Sequence, residues 1–271
     1  MINVTFTIRN KMKNLLLIIS VLLCMQVSTA QEESAFQDGE WFKFKMSYSG
    51  FLKAGNATLS VDETKLDGRP VYHVVGKGWT TGAIKWFFKV KDRYESYFDK
   101  ETGIPYKFIR KINEGGHTKD IEIAFNHKTK EALVENKKHK TTKIITTEQD
   151  VQDMVSAFYY LRNNYDTEHI KVSDVVSLNM FFDEENYNFK LKFLGRETID
   201  TELGGKMKTL KFRPYVMAGR VFKEQESLTL WVSADKNKIP LKIKADLAVG
   251  SLRADLVAFK GLKHPLQMEF D

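Results

Sequence analysis

Cysteine is all but missing from this chain. Its single copy, Cys24, stands in an N-terminal apolar stretch, so residues 31–271 carry no thiol, no disulfide and no cysteine metal ligand. Stability after loss of that stretch must come from packing alone. Proline is scarce, five in 271 residues. No apolar run is long enough to span a bilayer, the best candidate being Leu15 to Leu23. Catalytic signatures are missing as well: there is no GxSxG elbow and no glycine-rich phosphate loop. His73, His117, His127, His139, His169 and His264 show neither HxH nor HExxH spacing. His127 and His139 flank one expected hairpin and are the pair placed to meet, whereas His73 reads as a structural or exposed residue of the strand VYHVVG. Asp235 and its neighbours lack the glycine and spacing of a calcium loop. Asp183, Glu184 and Glu185 are adjacent, which suits a solvated turn better than a carboxylate pair flanking a glycoside. No catalytic residue, metal or cofactor is expected, and the chain does not read as an enzyme.

What is present begins with an export signal. Arg9, Lys11 and Lys13 precede the apolar run, and Ser28-Thr29-Ala30 closes it with small residues, which predicts a signal peptide over 1–30 cleaved after Ala30. Met12 is an alternative start. Leu23 ahead of Cys24 departs from a lipoprotein box, and lipidation of Cys24 stays open. Removing those three bases trims a net charge of +7 to a mild excess. Such an excess suits anionic envelope surfaces, and neither it nor export calls for nucleic acid. The remainder, 31–271, is expected to form a single β-rich domain.

Periodicity sets the class. In GEWFKFKMSYSG, Phe42, Phe44, Met46 and Tyr48 alternate with Lys43, Lys45 and Ser47. Tyr187, Phe189, Leu191 and Phe193 alternate with polar residues in the same way, as do Leu241, Ile243, Ala245 and Leu247. A two-residue period marks strands with one buried and one wet face, and therefore a mainly antiparallel sheet. Turn signals such as Ser49-Gly50, Asp67-Gly68, Gly115-Gly116 and Gly204-Gly205 suggest roughly ten to thirteen strands. The expected architecture is mainly β: a strongly curved antiparallel sheet or partly open β-barrel with one packed amphipathic helix.

FDKETGIPYKF (98–108) and SADKNKIPLKI (233–243) repeat one device. In each, Asp opens a turn after a strand, and Pro105 or Pro240 starts the return strand, where a missing ladder donor is tolerated. Two hairpins of similar design follow, whether by internal duplication or by chance. The helix is expected in TTEQDVQDMVSAFYYLRNN, where Val151, Met154, Val155, Phe158 and Leu161 form an apolar stripe behind a Thr146 or Thr147 cap. A shorter helical turn is expected over 80–86.

In this order, AGNATLSV, DRYESYFDKETGIPYKF, DVQDMVSAFYYLR, FLGRETIDTELGGKMKTLKFRP and LWVSADKNKIPLKIKADLAVGSLRADL resemble the exported bacterial family catalogued as domain of unknown function 3108, over nearly all of 39–260. The family's rhythm is in turn similar to the periplasmic lipoprotein carriers. That likeness implies an incompletely closed antiparallel barrel that holds acyl chains against internal helices, at the level of fold only. The resemblance brings no catalytic residues.

Two candidate surfaces emerge. The stretch GWTTGAIKWFFKV collects Trp79, Trp86, Phe87 and Phe88, which either join the core or line and gate a cavity, together with Phe42, Phe44, Tyr187 and Phe189 on the inner face. These are the candidate ligand-binding residues. HKTKEALVENKKHKTTK is basic, and Lys137, Lys138 and Lys140 are candidate surface contacts as well as the wet tip of a hairpin. The leading expectation is a non-enzymatic periplasmic or exported carrier of a lipid or acyl chain, with an anionic envelope surface as a candidate partner. A scaffold for envelope or surface-polysaccharide assembly is the alternative. An outer-membrane barrel also alternates apolar and polar residues, but the amphipathic helix and the many strand lysines argue against it, so the mature form is not expected to span the membrane.

Overall fold

The structure, a computed structural model, describes residues 33–215, 227–247 and 249–269. The expected signal segment, with Cys24 and Ala30, lies outside the described residues. Ser34–Asp271 forms one compact unit. Its elements are β1 (Trp41–Tyr48), β2 (Leu52–Leu66), β3 (Arg69–Thr80), α1 (Ile84–Phe87), β4 (Lys91–Asp99), β5 (Pro105–Glu114), β6 (His117–Asn126), β7 (Glu131–Asn136), β8 (Thr141–Thr146), α2 (Ser156–Asn164), β9 (Val175–Phe182), β10 (Glu185–Asp200), β11 (Lys206–Tyr215), β12 (Leu228–Ser233), β13 (Pro240–Asp246) and β14 (Ser251–Lys260). No helix among the described residues is long and apolar enough to cross a membrane.

The fold is mainly β, a single 14-stranded antiparallel sheet in the order β8-β7-β6-β5-β4-β3-β2-β1-β14-β13-β12-β11-β10-β9. Every strand pairs with its sequence neighbours except at one break. The edges, β8 and β9, are consecutive in sequence, and β1 and β14 pair in the middle of the sheet. The sheet is not closed. Instead the two edges approach and are stitched by side chains. Asn186 donates to the Thr146 carbonyl at 2.9 Å and accepts from the Glu148 amide at 3.0 Å. Lys143 of β8 meets Glu184 at 2.5 Å. Gln152 makes a single parallel bridge to Met180 of β9, covering an edge that would otherwise leave main-chain groups unpaired.

Among the described residues fourteen strands form, where roughly ten to thirteen were expected. Asp67-Gly68 and Asp183-Glu184 both have positive φ at two successive residues, which is the tight hairpin geometry that matches strand twist. The carboxylates at 183–185 belong to such a turn. Asp183 is held by Arg110 and by Lys119 at 2.9 Å. The two Ile-Pro hairpins form as read, β4–β5 and β12–β13, and both carry a register shift one pair before the proline.

The expected alternation carries the core. Phe42 and Phe44 are buried with Met207, Ile239, Leu241 and Leu256 in one cluster, and Leu191, Phe193, Leu210 and Phe212 form another. Alternation in β1 breaks after Met46, where a bulge turns Ser47 inward and leaves Tyr48 half-buried. The third cluster joins Phe36, Val74, Phe98, Phe108, Tyr159 and Phe181. Phe181 on edge strand β9 meets Phe125 of β6 edge-on, with ring centroids 6.0 Å apart, so the far edge rolls back over the first half of the sheet.

The helix is shorter than its apolar stripe implies. α2 starts at Ser156, and 147–155 runs extended and turned across the sheet edge. Asp153 stops the helix from reaching further back. Its carboxylate accepts from the amides of Val155 and Ser156 at 2.7 and 2.8 Å, and the Ser156 hydroxyl accepts from the Asp153 amide at 2.9 Å. This reciprocal pair is a capping-box arrangement placed well after the expected threonine cap. Asp153 is buried and also accepts from the Ser96 hydroxyl at 2.6 Å; burial pushes its carboxyl up to about 6 against these hydrogen bonds. The second expected helical turn is α1, a four-residue piece.

Candidate functional site

Strand direction places the connections at two ends of the sheet. The end that carries α2, the N-terminal segment and the β12–β13 turn is filled. Arg162 of α2 is buried there. It grips Glu40 through both guanidinium nitrogens at 2.6 and 2.7 Å, and donates to the carbonyls of Ala35 and Asn237. Phe36, Phe42, Phe158 and Tyr159 lie within 5.3–5.7 Å of its guanidinium carbon.

The inner aromatics named as candidate ligand contacts are placed as follows. Phe42 and Phe44 are packed core side chains, and Phe189 is partly buried in the cluster around Phe193 and Phe212. Tyr187 donates to the Tyr215 carbonyl at 2.5 Å. Among the described residues, the inner clefts beside Phe158 and Phe212 and beside Phe108 and Phe182 measure only about 50 and about 10 Å³. Ligand sites generally need roughly 300–1,000 Å³. Phe36 and Tyr159 of α2 pack into the core cluster beside these clefts.

A groove of about 810 Å³ lies elsewhere, between the 81–90 loop and strands β3 to β6. Core-facing residues of β3 and β4 are Tyr72, Val74, Ser96 and Phe98. Lys77, Trp79, Lys91 and Arg93 alternate with these, so they line the groove from the outer face. The 81–90 loop is pinned at its base. Val90 donates to the Thr80 hydroxyl at 2.9 Å, Thr81 to the Ala54 carbonyl at 3.1 Å, and Gly115 to the Lys89 carbonyl at 2.9 Å. Phe88 packs against Gly115, where a Cβ would stand 2.5 Å from its ring. Only glycine permits that contact.

Of the expected aromatics, the structure brings Trp79 onto the groove wall and Phe88 under its loop. Trp86 and Phe87 belong to neither core nor cavity; they project into solvent, 90% and 88% exposed. Reading that stretch for its aromatics alone leaves out the interleaved cations Lys77, Lys85, Lys89 and Lys91, all of which line the groove. None of these four makes an ion pair with a described residue, whereas Arg93 pairs with Glu95 at 2.6 Å and Lys119 with Asp183. Their stems, with Trp79 and Val90, give an apolar wall under charged heads. Burial pushes the groove carboxyl Asp92 up to about 6; the Asn113 amide, donating at 3.0 Å, opposes this and Glu114 reinforces it.

The basic hairpin adjoins the groove. Lys138 donates at 3.2 Å to the carbonyl of Thr118, a groove residue, and Lys137 pairs with Glu135 at 2.5 Å; Lys140 occupies the exposed turn with φ 54°. The histidines do not assemble. His127 follows β6 and His139 follows β7, so the two sit at opposite ends of β7. His73 bonds Glu95 at 2.8 Å and stacks on Tyr97. Among the described residues no group of His, Cys, Asp and Glu is placed to hold a metal.

A family model described as "Protein of unknown function (DUF3108)" matches residues 43–257. No curated protein matches the sequence. Among solved structures, a β-barrel-like protein of domain of unknown function DUF1849 from Brucella abortus is similar in fold, with a TM-score of 0.53 at 9% identity, covering 84% of this chain and all (100%) of that one. Weaker likenesses are to a protein assigned as exported, with a YmcC-like fold, from Bacteroides fragilis (TM-score 0.33, 9% identity, 83% of this chain and 97% of that one). A protein assigned as a lipoprotein from Parabacteroides distasonis stands at 0.31 and 13% identity, with 84% and 98% covered.

Proposed function

We propose that this chain, which belongs to the DUF3108 family, is a non-enzymatic binding protein of the cell envelope, periplasmic or otherwise exported, whose outer groove receives a lipid-like amphiphile with an anionic head. The observation that carries the reading is the pairing of an apolar wall with unpaired cations in one groove of about 810 Å³. An acyl segment laid on Trp79 and Val90 leaves water at a gain of roughly 25 cal/mol per Å². Its head group then lies among Lys77, Lys85, Lys89 and Lys91, cations that need not break an existing ion pair to meet it. The N-terminal pattern of Arg9, Lys11, Lys13 and the Leu15–Leu23 run supports export.

Titration with a dansyl-labelled fatty acid below its micelle concentration tests this. Saturable binding is expected. Trp79→Ala should weaken it about tenfold, and joint reversal of Lys77 and Lys91 to Glu should weaken it at least several-fold, more at low salt. Absence of saturable uptake by the unaltered chain, or uptake indifferent to both changes, refutes the reading.

A further inference from the structure

Antiparallel register gathers particular turns at the sheet end opposite α2. Tyr48 pairs with both Leu52 and Leu252, and Thr80 pairs with Gly55, so the β1–β2 turn, the β13–β14 turn and the α1 loop are neighbours. They are tied together: Ser49 donates to the Ser251 carbonyl at 2.7 Å, the Tyr48 hydroxyl to the Val249 carbonyl at 2.8 Å, and Thr81 to the Ala54 carbonyl. Each turn lifts a large apolar side chain into water. Phe51 is 86% exposed and Val249 78%, beside Trp86 and Phe87 on α1. Isolated exposed apolar residues are ordinary, but several on adjoining tips, with none of the core beneath them, mark a contact surface.

The charge around these tips selects the partner. The segments 49–53 and 81–91 contain Lys53, Lys85, Lys89 and Lys91 and not one Asp or Glu. We propose that this rim docks on an anionic phospholipid bilayer, with Phe51, Trp86, Phe87 and Val249 entering the headgroup layer and the lysines meeting lipid phosphates. Tryptophan and phenylalanine favour that boundary, and each lysine near an anionic surface adds attraction that salt screens. The filled end, with α2, then faces away. The proposal shares Lys85, Lys89 and Lys91 with the fatty-acid reading but is separable from it, because Phe51, Lys53, Trp86, Phe87 and Val249 are not walls of the groove.

Co-sedimentation of the exported chain with vesicles tests it, using phosphatidylcholine alone and phosphatidylcholine mixed with phosphatidylglycerol. Binding is expected to the anionic vesicles and to fall with salt. Phe51→Ser/Trp86→Ser/Phe87→Ser should lower it at least tenfold, Lys53→Glu several-fold, and the triple variant should keep its fatty-acid titration. The unaltered chain remaining in the supernatant with anionic vesicles overturns the proposal, as does equal sedimentation of the triple variant. A dimer or a protein complex that depends on these residues, without vesicle binding, overturns it too.

Discussion

Arg162 shows what one side chain can hold. A buried arginine with a bidentate carboxylate, two carbonyl partners and four ring faces has every donor direction used or shielded, which lets its charge stay in the interior. It joins α2 to Glu40 and to the Asn237 turn, residues far apart in sequence. Arg162→Met should therefore cost about 3–5 kcal/mol, because Glu40 is left buried and uncompensated, while pairing it with Glu40→Leu should recover much of that loss. Arg162→Lys should not rescue, since an ammonium cannot reproduce the two-toothed contact. Denaturant midpoints at unchanged slope measure all three; a single-variant cost under about 1 kcal/mol, the range of a surface ion pair, refutes the account. Nothing in the sequence announced this residue. The stripe Val151, Met154, Val155, Phe158 and Leu161 follows helical spacing, yet α2 buries Ser156, Ala157, Tyr159 and Arg162. A charge is read as wet unless its distant partner is known. Trp86 and Phe87, expected either in the core or at a cavity, are exposed, because the loop's placement at the sheet end leaves them in water.

At the scale of the element, the paired hairpins were legible because their chemistry is local. Asp99 accepts from the amides of Glu101 and Thr102 at 3.0 and 2.8 Å, and Asp235 accepts from those of Asn237 and Lys238 at 3.0 and 3.3 Å. The residue before Ile-Pro is left-handed in both, Gly103 at φ 71° and Lys238 at φ 47°. The repeated punctuation thus encodes one backbone path with two residue choices. Gly103→Ala should destabilise by about 1 kcal/mol or more, since alanine strains at that φ and its Cβ would stand 3.3 Å from Tyr160. Lys238→Gly relieves strain but loses the 2.9 Å bond from its ammonium to the Tyr165 carbonyl, so its net change should be within several tenths of a kcal/mol. Thermal melts of both variants check the contrast, and equal destabilisation would contradict it. The start of α2 was less legible. Thr146 and Thr147 satisfy the pattern of a cap, but the Asp153–Ser156 pair does so further along, and the edge of β9 claims 152 for itself.

For the molecule as a whole, alternation in Phe42–Phe44, Tyr187–Phe193 and Leu241–Ala245 sufficed to give an antiparallel sheet with one wet face. It carried no information on how the edges meet, because Asn186, Lys143 and Glu184 act across the break rather than along a strand. It also could not show which side of the curved sheet keeps a hollow. That depends on α2 and Phe36 filling one side while the 81–90 loop stands clear of the other. The resulting groove makes one more measurable demand. Asp92 is a groove residue with Glu114 and Arg110 acting on it, and burial lifts its carboxyl from 3.8 to about 6. Above that pH it places a negative charge in the site; below it the group is neutral and the cations act unopposed. Uptake of an anionic amphiphile should therefore tighten as pH falls from about 7 to about 5, in the direction set by a raised acid pKa. Asp92→Asn should bind at pH 7 as the unaltered chain does at pH 5, and should flatten the profile across that interval. The ligand must keep one charge state throughout, which an alkyl sulfate does, so that any slope belongs to the protein. A profile that Asp92→Asn leaves unchanged would move the titration to another group and remove Asp92 from the site.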